Sequence, residues 1–100
     1  GQRCYFIALE EVQAFEAMGN YTRLHTENGA VSVYRTLANI AERLPKEPFF
    51  RANRSWLFNT HYIAELEQES GGTLEIKLHN KLQIALSRTQ TTAFKQRYKL

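Results

Sequence analysis

The hundred residues contain no aspartate; all ten acids are glutamate. That excludes an Asp-rich calcium loop, an Asp-containing catalytic triad and a paired-aspartate acid/base site. Cysteine occurs once, at Cys4, so no internal disulfide can form. Its apolar surroundings, with Arg3 the nearest basic neighbour, predict a buried thiol in a reducing cytoplasm, not a nucleophile. His25, His61 and His79 show neither H-x-x-x-H nor H-E-x-x-H spacing and are read as surface or core residues, with no metal site expected. His61 with Glu65 could in principle form an acid/base pair, and the two are read as exposed residues after a turn. The five glycines form neither a P-loop nor a G-x-G-x-x-G loop. No enzyme activity and no cofactor are therefore expected. No apolar run approaches the ~20 residues of a membrane span, and the N-terminus lacks the pattern of a signal peptide. Only two prolines occur, with no repeat and no low-complexity stretch, so residues 1–100 read as one domain. The chain opens on Gly1 and is read as a fragment of a longer protein.

What is present is enough for a core. Hydrophobic residues make up 43% of the chain, including six Phe, five Tyr and one Trp. A chain of this size buries about 60–68% of its unfolded surface. The net charge of +3 is small, but its distribution is uneven. Glu65, Glu67, Glu69 and Glu75 form an acidic strip. No acid follows Glu75, while Lys77, Lys81, Arg88, Lys95, Arg97 and Lys99 do. Between Pro48 and Ala64 the charged side chains are Arg51 and Arg54, with His61 beside them. Brought together, these two basic segments would make one face able to displace counterions from phosphate; kept apart, they are ordinary solvated surface.

The periodicity is mostly that of strands. Cys4–Leu9 is a β-type apolar run, and Val12–Ala17 a weaker one. Met18-Gly19-Asn20 reads as a turn, followed by a strand over Tyr21–Thr26, the Asn28-Gly29 hairpin signal and a return strand over Ala30–Tyr34. Leu37, Ile40, Ala41 and Leu44 then fall at i, i+3, i+4, i+7, one face of a helix capped by Thr36 and closed by Pro45. Phe49–Asn59 shows neither clean period. Ile63–Glu69 and Thr73–Leu78 read as a hairpin across Ser70-Gly71-Gly72, with Ile63 on the same face as Glu65 and Glu67. A turn at His79-Asn80-Lys81 leads to a strand over Leu82–Leu86, and Ser87 caps a last helix reaching about Tyr98. The class is mainly β, with seven or eight short strands and two short helices.

The stretch F-F-R-A-N-R-S-W-L-F-N-T-H-Y-I, from Phe49 to Ile63, resembles the signature of the LytTR DNA-binding domain. That domain is the effector of the LytR/AgrA/AlgR class of bacterial response regulators. Phe50, Arg51, Arg54, Ser55, Leu57, Asn59 and Ile63 match it. Ala52 and Asn53 depart, where Ile and His are usual, and Trp56 replaces a commoner Tyr or Phe. Phe15–Tyr21, Arg35-Thr36-Leu37 and Ile84–Arg88 resemble three further family elements in the same order, with Ala85 in place of the usual Pro. The resemblance covers about residues 5–98. It implies stacked small antiparallel sheets whose loops enter the major groove of duplex DNA and bend it. It also implies a promoter carrying paired short repeats, self-association on that DNA, and an N-terminal receiver or other sensor part.

Carried over residue by residue, base contacts fall to Asn20, Tyr21, Arg54 and Arg88. The guanidinium fork of an arginine can take guanine O6 and N7 together, though either arginine could equally contact phosphate alone. Asn20 can read adenine, or serve only for its tolerance of a left-handed backbone; Tyr21 can touch DNA or pack as a strand residue. Ser55, Ser87, Lys81 and Lys95 are the backbone-contact candidates, with helix capping the other role open to Ser87. Phe49, Phe50, Trp56, Leu57 and Phe58 are expected in the core. Two rivals remain open on the residues: an RNA or single-strand binder, which would expose aromatics beside the basic face, and a protein-interaction domain, whose binding would ignore salt.

Overall fold

A computed structural model describes residues 6–100, and in it eight strands and two α-helices follow one another with short connections. Strands β1 (Ala14–Met18), β2 (Tyr21–Thr26), β3 (Gly29–Val33), β4 (Phe49–Arg51) and β5 (Trp56–Asn59) form one antiparallel sheet in the order β3-β2-β1-β5-β4. Strands β6 (Ile63–Gln68), β7 (Leu74–Leu78) and β8 (Gln83–Ala85) form a second, in sequence order. Helix α1 (Leu37–Arg43) covers one face of the larger sheet, and α2 (Arg88–Tyr98) closes the space between the sheets.

The pleat of the larger sheet divides its residues between two cores. Phe15, Phe49 and Leu57 join Val12 and Leu37 on the α1 side. Ala14, Phe50 and Phe58 face the other way, against Leu74, Ile76, Leu78 and Ile84 of the small sheet and Phe94 of α2. Successive side chains of a strand point to opposite faces, so Phe49 and Phe50 serve different cores. This is why Phe49–Asn59 carries no readable period: a strand buried on both faces has no polar side to alternate with.

Both helices begin as expected. Thr36 Oγ1 accepts from the Asn39 amide at 3.2 Å, and Ser87 Oγ from the Gln90 amide at 3.2 Å. Three expectations need correcting. Phe6–Ala8 have no regular structure and Leu9–Glu11 form a 3-10 turn, so the described part of the expected first strand is not one. It gains no strand partner: Phe6 is exposed, and Ile7 packs on the α1-side core instead. Cys4 and Tyr5, with the expected buried thiol, lie outside the described residues. A β-bulge between Ile63 and Glu65 turns Ile63 away from the glutamate face and sets it opposite Leu78. One extra residue in a ladder has that effect on every side chain beyond it. Trp56, expected in the core, is only half-buried, stacked on His25 with ring centroids 5.4 Å apart.

Phe94 ties the layers together, with its ring 5.0 Å from Phe50, 6.2 Å from Phe58 and 4.6 Å from Tyr98. Phe94→Ala is expected to cost about 3–5 kcal/mol. Urea unfolding should show this as a lower midpoint at unchanged slope; a loss under ~1 kcal/mol would mean the two sheets do not depend on this ring.

Candidate nucleic-acid interface

The turn between β1 and β2 is built on Gly19, whose φ of +67° is open to glycine at little cost. Gly19 takes the left-handed position and Asn20 does not, so Asn20 is not required there for its backbone tolerance. Both Asn20 and Tyr21 are exposed. Thr22, fully buried, donates its hydroxyl to the Arg35 carbonyl at 2.8 Å, which draws the end of β3 to the same place. Tyr34, 71% exposed, lies against the Tyr21 ring at 4.9 Å. Beside them an open cleft of about 440 Å³ is lined by Asn20, Tyr34, Arg35, Thr36 and Asn39, with the Arg35 guanidinium donating to Asn39 Oδ1 at 3.1 Å.

The β4–β5 loop abuts this turn. The Ala17 amide donates to the Ser55 carbonyl at 2.8 Å, which sets Arg54 and Ser55 beside the end of β1. Arg51 donates from Nε to the Asn53 carbonyl (2.7 Å) and from Nη2 to the Arg54 carbonyl (2.8 Å). Burial holds its guanidinium below the ordinary arginine value. Asn53 Oδ1 accepts from the amides of Ser55 (2.8 Å) and Trp56 (3.0 Å). Arg54 and Ser55 extend from this fixed backbone with exposed side chains.

The start of α2 meets the same loop. The Ser87 amide donates to the Ala52 carbonyl at 3.0 Å, Gln90 Nε2 to the Arg51 carbonyl at 2.7 Å, and Asn53 Nδ2 to the Ala85 carbonyl at 2.6 Å. Arg54 and Ser87 thereby line one shallow cleft with Arg51, Asn53 and Gln90. Arg88 is exposed at the first turn, with a long 3.4 Å bond from Nη1 to the Gly71 carbonyl. Lys95 is half-buried two turns further on the same side of the helix, about 10 Å along its axis at 1.5 Å per residue. Among the described residues, the ion pairs use Arg23, His25, Lys77 and Arg97, and none uses Arg35, Arg54, Arg88 or Lys95.

Of the eight residues singled out from the sequence, Asn20, Tyr21, Arg54, Ser55, Ser87 and Arg88 thus share one end of the molecule, with Lys95 leading away from it. Lys81 does not join them. It occupies the β7–β8 turn at the far end of β7, where Asn80 bonds Gln13 and His79 bonds the Tyr62 carbonyl. Its φ of +78° gives it a conformational part in that turn. Tyr34 and Arg35 enter the sequence reading as a strand end and as part of a family-like element, not as contact residues, and Asn53 only as a departure from a pattern. The contacts that bring them to this end come from other elements: Tyr21 against Tyr34, Thr22 on the Arg35 carbonyl and Ala85 on Asn53.

Residues 2–99 match the family model of the LytTr DNA-binding domain. The CO-responsive transcriptional regulator RcoM of Rhodospirillum rubrum is 31% identical over 93 residues, covering 92% of this chain and 39% of that protein. Sensory transduction protein LytT of Enterococcus faecalis is 24% identical over 95 residues, again 39% of its length. The chain therefore spans about two fifths of these curated relatives. A solved LytTr DNA-binding domain from Bacillus cereus has the same fold, with a TM-score of 0.85 at 20% identity over 94% of this chain and 86% of that one.

The two serines are expected to separate in a stability measurement. Ser87→Ala removes a helix cap and should cost about 1 kcal/mol, whereas Ser55→Ala should stay within ~0.5 kcal/mol of the parent. Equal losses in thermal unfolding would contradict the capping role.

Proposed function

Because the chain belongs to the LytTr DNA-binding domain family, we propose that it reads specific duplex sequences through the loops gathered at one end of its two sheets, as the effector part of a bacterial transcription regulator. The observation that carries this is the convergence of the Arg54 loop with the Ser87–Arg88 helix start. It joins the two acid-free segments of the sequence into one basic edge. Arg54 and Arg88 are the base readers, and Asn20 and Tyr21 form a second reading point across the Ala17–Ser55 bond. Ser55, Ser87 and Lys95 hold phosphates, which fix register without specifying sequence. The loops enter the major groove, where each base pair displays a distinct donor and acceptor pattern.

The greater length of the relatives, of which the chain spans 39%, supports a regulator larger than this domain. An N-terminal sensing part, a receiver in a two-component system or another sensor, supplies the regulation in the cytoplasm. Two copies sit on paired short repeats, and tethering makes the second contact effectively intramolecular. A single domain binds such a promoter weakly.

Selection from a randomised duplex library across a salt series tests the reading. An enriched short motif whose affinity falls steeply with salt is expected. Binding without enrichment would point to a non-specific or single-strand binder, and no binding even at low salt to an obligate dimer or a protein-interaction domain. On the selected duplex, Arg54→Ala and Arg88→Ala should each lose about 1–3 kcal/mol and relax preference at one position. Lys95→Ala should weaken all duplexes alike and reduce the salt slope by about one. Lys81→Gln, far from the cluster, should change affinity by less than about twofold, because screening in salt confines exposed charges to ~8–10 Å. A uniform loss across all sequences in Arg54→Ala would remove base reading from that residue.

A further inference from the structure

We propose that Asn53 is a positioning residue for sequence discrimination, fixing Arg54 relative to Arg88 by bonding to both sides of the gap between them. The inference rests on the duplex-reading function above and deepens it. Three of the four hydrogen-bonding positions of the Asn53 amide are engaged. Its oxygen receives the Ser55 and Trp56 amides at 2.8 and 3.0 Å, which bends the chain sharply after Arg54. Its nitrogen donates to the Ala85 carbonyl at 2.6 Å, 32 residues away and three before Arg88. β8 is the edge strand of the small sheet, so this bond joins that edge to the loop of the larger one.

The neighbouring bonds do not duplicate this role. Ser87 to Ala52 and Gln90 to Arg51 anchor the chain before the turn. Arg51 holds the carbonyls of residues 53 and 54 from the end of β4. Among the described residues, only the Asn53 side chain grips both the segment after Arg54 and the strand that leads into α2. Arg54 itself is an exposed, flexible side chain, so the precision of its reach depends on the backbone from which it hangs. A site whose supports are fixed in advance loses less entropy on binding and tolerates less mismatch.

Two substitutions separate the bridge from the turn. Asn53→Asp keeps the oxygen that accepts from Ser55 and Trp56 but sets an anionic oxygen against the Ala85 carbonyl. Asn53→Ser is neutral, can still cap the turn, and is too short to reach Ala85. Each is measured against the selected duplex and a scrambled duplex of the same length, with thermal unfolding alongside. The readout is the ratio of the two affinities. A lost fraction of folded protein, or an added negative charge, lowers both affinities together and leaves that ratio unchanged. The ratio is expected to fall about tenfold in both variants, the loss of one aligned bidentate contact. An unchanged ratio in either folded variant overturns the positioning role while duplex reading stands. A parent domain with no preference for the selected duplex would instead overturn duplex reading, and this inference with it.

Discussion

The Phe49–Asn59 ribbon is buried on both faces, and the geometry of the basic edge depends on that burial. Phe49 and Leu57 belong to the α1-side core, Phe50 and Phe58 to the core shared with the small sheet and α2. Fully burying such side chains stabilises by about 1.5–3 kcal/mol each, far more than exposed arginines contribute. The ribbon therefore cannot shift toward one layer without opening the other. Its loop is thin, only four residues from Ala52 to Ser55, and Ala52 at its base is completely buried. The loop inherits the rigidity of two cores, and Arg54 projects from a backbone whose four carbonyls, from Ala52 to Ser55, each accept a hydrogen bond.

Charge follows the same division. Glu65, Glu67 and Glu75 share the outer face of the β6–β7 ladder, and Glu67 stands directly opposite Glu75. Like charges paired across strands destabilise by some tenths of a kcal/mol. The Lys77–Glu65 pair at 3.6 Å offsets part of this. A phosphate backbone is repelled from that face and attracted to the end where Arg35, Arg54 and Arg88 lie outside the ion pairs. With a net charge of only +3, such separation gives the approach a direction that the total could not.

Much of the architecture was legible in the sequence because it is local. The Asn28-Gly29 turn, the Tyr21–Thr26 strand, the Thr36-capped helix and the Ser87-capped helix each carry their cause within a few residues. The misread parts are those decided at a distance. Cys4–Leu9 has strand composition, but a strand needs a neighbour, and Phe6–Ala8 find none. The bulge after Ile63 sets that residue opposite Leu78, a partner that lies across the ladder and not in the local sequence. The site divides in the same way. Arg54 and Arg88 stand out by type and by acid-free surroundings, whereas the reach of Asn53 to Ala85 and the remoteness of Lys81 follow from topology alone.

The aromatic residues bear on how the edge meets a nucleic acid. Phe49, Phe50 and Phe58 are buried, which removes them as platforms for unpaired bases. Tyr21 and Tyr34 remain exposed beside Arg35, but their centroids are 4.9 Å apart with planes inclined at 59°. A base inserted between two rings needs about 3.4 Å on each side, the spacing of a nucleic-acid stack. The gap is too narrow, and the tilt too large, for a base to enter without separating the pair. Two rings occupied with each other keep one outer face each, a single pair of platforms, where single-strand grooves stack base after base along a track.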